Sequence, residues 1–144
     1  MEKLKHLWKT NPVLLLVFIA FSFALIMALW NTLKKVFAFL SSSVKGIGST
    51  LTSDEAKAIS TTIFDEVNSI ATDEDLIVDK IKVLTLSDYY KVQAAFGIVP
   101  YSNTFDNFDT LTGVDSNLTE VLNQTLNESD KRKIKEANPK LPIG

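Results

Sequence analysis

The sequence contains no cysteine and only one histidine, His6. Without cysteine the chain cannot form a disulfide, a zinc–thiolate site or a thiol nucleophile. A Ser-His-Asp triad is not expected either, because the one histidine lies before the apolar stretch described next. Carboxylates are numerous, but none lies in an apolar sequence context that would raise its pKa for acid catalysis. The sequence therefore predicts a protein that is not an enzyme and that carries no cofactor and no metal.

Charged residues are absent between Lys9 and Lys34, and nearly all residues from Val13 to Leu29 are large and apolar. Such a run is typical of a transmembrane helix. Trp8 and Trp30 lie roughly 33 Å apart along this helix, which would place one indole at each membrane interface. A secretory signal peptide would have a shorter apolar region, and a core helix in so short a chain would rarely be apolar on every face. We therefore predict a single-pass membrane protein.

The residues at both ends of the span suit a membrane anchor. Pro12 occupies the expected first helical position, where its missing N–H costs nothing. Trp8 and Trp30 mark the two interfaces, and Lys34 and Lys35 follow the second interface, where cations meet lipid headgroups. These five residues are the predicted anchor.

Small residues recur at every fourth position of the span, namely Ala20, Ala24 and Ala28. A small-xxx-small stripe lets a second helix approach closely, so it predicts self-association through the transmembrane helix. Alanine is also common in membrane spans, and chance explains the spacing equally well.

The net charge of −2 is unevenly distributed: residues 1–50 carry six lysines against one acidic residue, and residues 51–144 carry nine basic against sixteen acidic residues. The basic part suits a lipid bilayer with anionic headgroups, and the acidic part would be repelled by nucleic acid. The positive-inside rule favours an inner amino terminus and an outer domain. The margin is about one charge, so the opposite orientation stays open.

The composition changes after the span. A helical pattern continues to Leu40, so residues 1–40 form the basic amino terminus and the transmembrane helix. Residues 41–51 are rich in Ser, Thr and Gly, which is typical of a linker. Residues 52–144 are long enough for one small domain with a modest core.

Five short helices are expected in residues 52–144, which makes the domain all-α. The segment Ile98–Thr112 carries aromatic residues but is too polar and too rich in turn residues for a strand. Each helix begins at a residue that can cap it, and its apolar residues recur on one face. The expected caps are Thr52 with Glu55, Thr72 with Asp75, Ser87, Ser116 and Asn127, and the expected inward residues are Ala56, Ile59, Ile63, Val67, Ile77, Ile81, Leu84, Tyr89, Val92, Phe96, Leu118, Val121, Leu122 and Leu126.

Five short helices with a Thr-Asp-Glu-Asp box opening the second closely resemble one repeat of the annexin family. The resemblance covers about two thirds of the chain and implies an annexin-like helical fold. The residues that carry it are the segment Ile70–Ile77 (IATDEDLI), Ile81, Leu84, Ser87 and the aromatic–glycine pair Phe96 and Gly97.

The sequence departs from the annexin pattern at the calcium site. Annexins bind membranes through calcium held by a glycine-rich loop before the box and by an acidic residue late in the fourth helix. Here the loop is Ser69, Ile70 and Ala71, and the late acidic position is Thr125. The chain also has one repeat where annexins usually carry four. The resemblance therefore implies a fold without the calcium-dependent activity.

Charged clusters in the domain have structural as well as functional interpretations. Asp73, Glu74 and Asp75 could hold a metal, but carboxylates in the first turn of a helix are favoured by its dipole. The spacing of the carboxylates within the Ile98–Thr112 loop and at Asp115 matches no EF-hand. The basic run 131–135 lies near a helix carboxyl end, where cations are favoured; it could also contact an anionic lipid or a partner. Three Asn-x-Ser/Thr sequons, at Asn117, Asn123 and Asn127, lie in or beside predicted helices, so coincidence is their better interpretation.

These features together predict a non-enzymatic, single-pass membrane protein whose domain docks on a protein partner and attaches the bilayer to it. A membrane-containing virion, in which a structural protein links the internal membrane to the capsid, would fit a short chain without chemistry. Two alternatives remain: a membrane-active effector, holin-like or a cell-envelope anchor, and a lipid-binding annexin-like module.

Overall fold

The computed structural model describes residues 12–144, which divide into two compact units, the first ending at Val36 and the second spanning Phe37–Gly144. Six helices and one small sheet make up this part of the chain. The all-α prediction is therefore confirmed. The expected anchor residue Trp8 and its flanking lysines lie outside the described residues.

The first unit contains most of helix α1, which spans Pro12–Lys45 and so begins at the predicted proline. The segment Leu16–Lys45 is long and apolar enough to cross a membrane, and its most apolar 18 residues have a mean hydropathy of 2.1. Two hydroxyl groups within it bond to their own helix: Ser22 donates to the carbonyl of Phe18 at 2.8 Å, and Thr32 donates to that of Ala28 at 3.1 Å. Polar side chains satisfied in this way are compatible with a lipid environment.

Helix α1 does not end at Leu40, where the sequence predicts its end. It continues to Lys45, so the predicted linker of residues 41–51 is wrong over its first five residues. Ser42 is buried, because its side chain lies between the helix and the domain. The small polar side chain of Ser42 suits this close contact.

The second unit contains the five expected helices. The capping box of Thr52 with Glu55 and the cap at Asn127 are confirmed. Gly97 ends its helix as predicted, with the positive φ of 74° that glycine tolerates. The helices are α2 Ser53–Val67, α3 Glu74–Lys82, α4 Leu86–Phe96, α5 Leu118–Thr125 and α6 Glu128–Ala137.

The other three caps differ from the prediction by one or two residues. Asp73, not Thr72, caps α3 and accepts from the N–H of Leu76 at 2.9 Å. The other two helices, α4 and α5, are capped by Thr85 and Asn117, and each cap forms a box with the acidic residue three positions later. A neighbouring hydroxyl or carboxylate offers the same chemistry at these sites, so the sequence alone does not separate them.

The prediction that the segment Ile98–Thr112 contains no strand is wrong. This segment contributes to a three-stranded antiparallel sheet of order β2-β1-β3, in which Tyr101 pairs with Phe108 and with Val114. Phe108 stacks on Phe64 of α2 with ring centroids 4.2 Å apart, which attaches the hairpin to the helices. The strands are β1 Val99–Ser102, β2 Asn107–Phe108 and β3 Val114–Ser116.

The apolar core lies where the helix faces are expected. Every predicted inward residue is buried except Ile59, which is partly buried against the core. The carboxyl-terminal segment adds a feature that periodicity cannot reveal, because Leu141 and Ile143 are also buried. Hydrogen bonds hold this segment: Lys135 donates to the carbonyl of Leu141 at 3.0 Å, and Gly144 N–H donates to Asn123 at 2.8 Å.

We predict that Ile81→Asp unfolds the domain. Ile81 has no exposed surface, so the substitution buries an unpaired carboxylate and costs several kcal/mol, comparable with a domain's whole stability of about 5 to 15 kcal/mol. Val83→Asp, at a position that is 73% exposed beyond the same helix, is the matched control and should change stability little. Near-ultraviolet circular dichroism of the full chain in micelles measures both, and a folded Ile81→Asp protein would show that the inner face is assigned wrongly.

Candidate functional site

Three of the predicted anchor residues lie on the part of α1 whose side chains the structure describes, and all three are exposed. Trp30 is 57% exposed, and Lys34 and Lys35 are exposed after it. Ala20, Ala24 and Ala28, the predicted helix-packing stripe, are exposed too, and the structure describes a single chain. A helix that presents apolar side chains on all sides is unfavourable in water and suits the hydrocarbon core of a bilayer.

The junction between the end of α1 and the domain is centred on Asp88, a buried residue near the start of α4. Its Oδ1 accepts from Ser49 Oγ at 2.6 Å and from the N–H of Thr50 at 2.8 Å. The N–H of Leu51 approaches the same oxygen at 3.4 Å. Its Oδ2 accepts from Thr85 Oγ1 at 2.6 Å and from the N–H of Thr85 at 3.3 Å, and the second of these bonds completes the capping box of α4. One carboxylate thus holds both residues 49–51 and the first turn of α4.

The charge of Asp88 is stabilised by these contacts. Burial alone would raise the pKa of its carboxyl, but hydrogen bonds from Ser49, from Thr85 and from the backbone of Thr50 and Leu51 outweigh that effect and hold the pKa well below its usual range. The carboxylate therefore stays ionised, and we interpret it as a structural group.

Two lysines and a glycine complete the same junction. Lys91 of α4 donates to the carbonyl of Leu51. The ammonium of Lys45 lies 4.9 Å from the centre of the Tyr90 ring, a cation–π contact. Gly46 allows the close approach, since a Cβ atom there would lie 3.2 Å from the backbone nitrogen of Lys91.

A chain of hydrogen bonds leads from α1 into the domain. Gln93 donates to Ser42 Oγ at 2.9 Å and accepts from Thr119 Oγ1 at 2.7 Å. Because Thr119 gives its proton to Gln93, the hydroxyl of Tyr89, 2.8 Å away, must be the donor to Thr119. Burial raises the pKa of Tyr89, which keeps this donor protonated. The network joins α1, α4 and α5 inside the second unit.

The acidic cluster at the start of α3 connects α3 with α6. Asp73 caps α3, while Glu74 accepts from Asn127 at 2.6 Å. Lys133 contacts Asp75 at 3.0 Å and the buried Asp130 at 2.8 Å. The oxygens that could bind a cation are thus shared with an amide and an ammonium group.

The carboxylates of this cluster differ in proton affinity. A hydrogen bond with Asp130 raises the pKa of Glu74, whereas the ammonium of Lys133 lowers the pKa of Asp130. Among residues 12–144, no group of three or more His, Cys, Asp or Glu is arranged so that it could hold a metal ion.

Several residues of the remaining predicted clusters make contacts within the domain. In the 131–135 run, Lys131 pairs with Glu128 at 2.8 Å, and Lys133 and Lys135 have the contacts given above. In the loop after β2, Asp109 accepts from the N–H of Leu111 at 2.9 Å. The three sequon asparagines are all engaged as well, since Asn117 and Asn127 cap helices and Asn123 holds the carboxyl terminus.

Comparisons with protein-family models, with curated protein sequences and with solved structures find no match to this chain. The annexin resemblance therefore stays a prediction. The junction at Asp88 is the feature that sequence analysis missed. Its signal was present in the spacing of Thr85 and Asp88, which matches a capping box, but nothing in the sequence indicated that Asp88 also accepts from residues 49–51.

We predict that Asp88→Asn lowers the free energy of unfolding by about 2 to 3 kcal/mol at pH 7, because a charged acceptor of several hydrogen bonds is lost. The pKa of Asp88 is lower in the folded than in the unfolded protein. Its contribution is therefore complete above about pH 4 and is lost as the pH falls further. Denaturant titrations should show the difference between wild type and Asp88→Asn shrinking below pH 4.

The matched control for this substitution is Asp65→Asn, at an exposed position of α2. It should behave like the wild type across the same pH range. Equal effects of the two substitutions at pH 7 would contradict the assigned role of Asp88.

We also predict that millimolar calcium does not raise the melting temperature of the full chain in micelles. Calcium would have to displace Lys133 from Asp75 and Asp130, and the loop before α3 lacks glycine. Magnesium and a chelator serve as controls. A rise specific to calcium would show that oxygen ligands are available after all and would favour a lipid-binding annexin-like module.

Proposed function

We propose that this chain is a non-enzymatic, single-pass membrane protein that attaches a bilayer to a protein partner through its helical domain. The observation that carries the proposal is the exposure of α1. The segment 16–45 is long and apolar enough to span a membrane. None of its most apolar 18 residues is buried in the fold. A core helix of a soluble protein would be mostly covered.

The junction supports an anchoring role because it consists of partly buried, mutually satisfied polar contacts. Asp88, Lys91 and Gln93 all lie on α4, and each bonds to residues between Ser42 and Leu51. Such a junction resists separation of the domain from the end of α1 better than a flexible Ser/Gly linker would. An attachment between a membrane and a protein assembly needs this property, whereas a mobile effector domain does not.

The charge of the domain supports a protein as its partner. Residues 51–144 have sixteen acidic and nine basic residues, and Lys131, Lys133 and Lys135 already bond to other residues of the domain. An acidic surface is repelled by nucleic acid and by anionic headgroups. We propose a membrane-containing virion as the setting, with the domain facing the capsid and away from packaged nucleic acid.

The membrane assignment is tested by alkaline extraction of membranes from cells that produce the full chain. We predict that wild type stays in the membrane pellet and that Ile19→Lys with Phe23→Lys is released, since each lysine near the bilayer centre costs about 2.5 to 3.5 kcal/mol. The control pair, Leu111→Lys with Val114→Lys, adds the same charge at exposed apolar positions of the domain and should stay in the pellet.

Release of the wild type would contradict the proposal. A second result would redirect it: dye leakage from cells that produce residues 1–45 alone would favour a holin-like effector, whereas inert insertion supports the anchor.

A further inference from the structure

Residues 41–51, which we name the strap, are of types that do not favour a helix on their own. Three serines stand in succession at positions 41–43, and Gly46 and Gly48 follow. Serine and glycine are weaker helix formers than alanine, because serine bonds to nearby backbone groups and glycine loses more freedom on ordering. Residues 41–45 are nevertheless helical in the structure. Contacts with the rest of the domain therefore supply this order.

Apolar packing contributes little to those contacts. Within the strap only Ser42 is buried, while Val44 is 63% exposed and Ile47 is 76% exposed. Leu51, at the end of the strap, is partly buried against the core. A groove of about 340 Å³ lies between this part of the chain and helices α2 and α4. Unfilled space at a contact loses dispersion attraction, so the strap is packed less firmly than the core helices.

Polar bonds to one helix hold the strap instead. Asp88 of α4 accepts hydrogen bonds from residues 49–51, the shortest of which is 2.6 Å long. Lys91 and Gln93 of the same helix donate to the strap as well. The cap of α4 by Thr85 does not involve the strap. Breaking the bonds to the strap exposes polar groups that water can satisfy, and it uncovers little of the apolar core.

We propose that the strap opens from α4 as a unit while the rest of the domain stays folded. Regions with few buried apolar contacts open at a lower free energy than the core does. Once open, residues 41–51 have the composition of a flexible linker, whose ends would lie roughly 18 Å apart on average. The use of this opening rests on the proposed function: the open strap gives the domain reach while it finds its partner, and the closed strap gives firm attachment.

Hydrogen exchange of backbone amides tests the proposal on the full chain in micelles, with mass spectrometry of peptic peptides as the readout. We expect the amides of residues 46–51 to exchange at least ten-fold faster than those of residues 89–96 in α4, yet more slowly than in an unstructured peptide. Low concentrations of urea should accelerate exchange in α4 and leave the strap unchanged, because only unfolding of the domain exposes much new surface.

Two substitutions separate opening of the strap from unfolding of the domain. Asp88→Asn removes the charged acceptor and should accelerate exchange in the strap about ten-fold or more. Ile134→Val removes a methylene group from a side chain of α6 that has no exposed surface. It should accelerate exchange in α4 several-fold and leave the strap unchanged, since it destabilises the domain equally whether the strap is closed or open.

Two results would overturn the proposal. Equal exchange of the strap and α4, with the same response to urea and to Ile134→Val, would show that the strap opens only when the domain unfolds. Strap amides without any protection would show that it is never closed. The alkaline extraction tests the anchoring function separately: release of a chain whose strap opens as expected refutes the anchor alone, whereas a retained chain without independent opening refutes the strap proposal alone.

Discussion

The carboxylate of Asp88 is the interaction on which the folded unit beyond the span depends. It sits at the third position of α4, where the helix dipole and free N–H groups favour a negative charge, and it completes the cap with Thr85. The same group holds residues 49–51, which follow α1 directly. A neutral side chain could accept the hydrogen bonds of the cap or those of residues 49–51, but not both sets. The carboxylate that caps α4 therefore also attaches the segment after α1 to the domain.

The two units of the chain have surfaces with different physical requirements. The apolar side chains of α1 are exposed and unfavourable in water, which supports the proposed membrane environment. The domain has an ordinary apolar core and an acidic exterior, as a water-soluble domain does.

Much of the fold could be predicted because two signals in the sequence are strong. The missing charge between Lys9 and Lys34 defines the apolar helix, and the 3.6-residue period identifies core residues such as Ile77 and Val121. Both signals depend on the burial or exposure of whole helix faces, and many residues in the sequence contribute to each of them.

The missed features depend on single contacts. Residues 41–45 have linker composition, but they are helical because Ser42 accepts a hydrogen bond from Gln93 and because Gly46 lets its backbone approach that of Lys91. The strands around Tyr101 are two to four residues long and are held by stacking of Phe108 on Phe64, a contact between distant parts of the chain. Periodicity cannot detect elements so short, and tertiary packing determines them.

The most direct test of the account is the sidedness of the two ends of α1. Single cysteines are introduced as His6→Cys before the span and Thr110→Cys in the domain, and both are labelled with a membrane-impermeant thiol reagent. The labelling uses sealed right-side-out and inside-out vesicles. A membrane-spanning anchor predicts that the two sites react from opposite sides of the bilayer, and the orientation expected from the flanking lysines places Thr110→Cys outside. Labelling of both sites from the same side would show that the helix does not cross the membrane and would contradict the account.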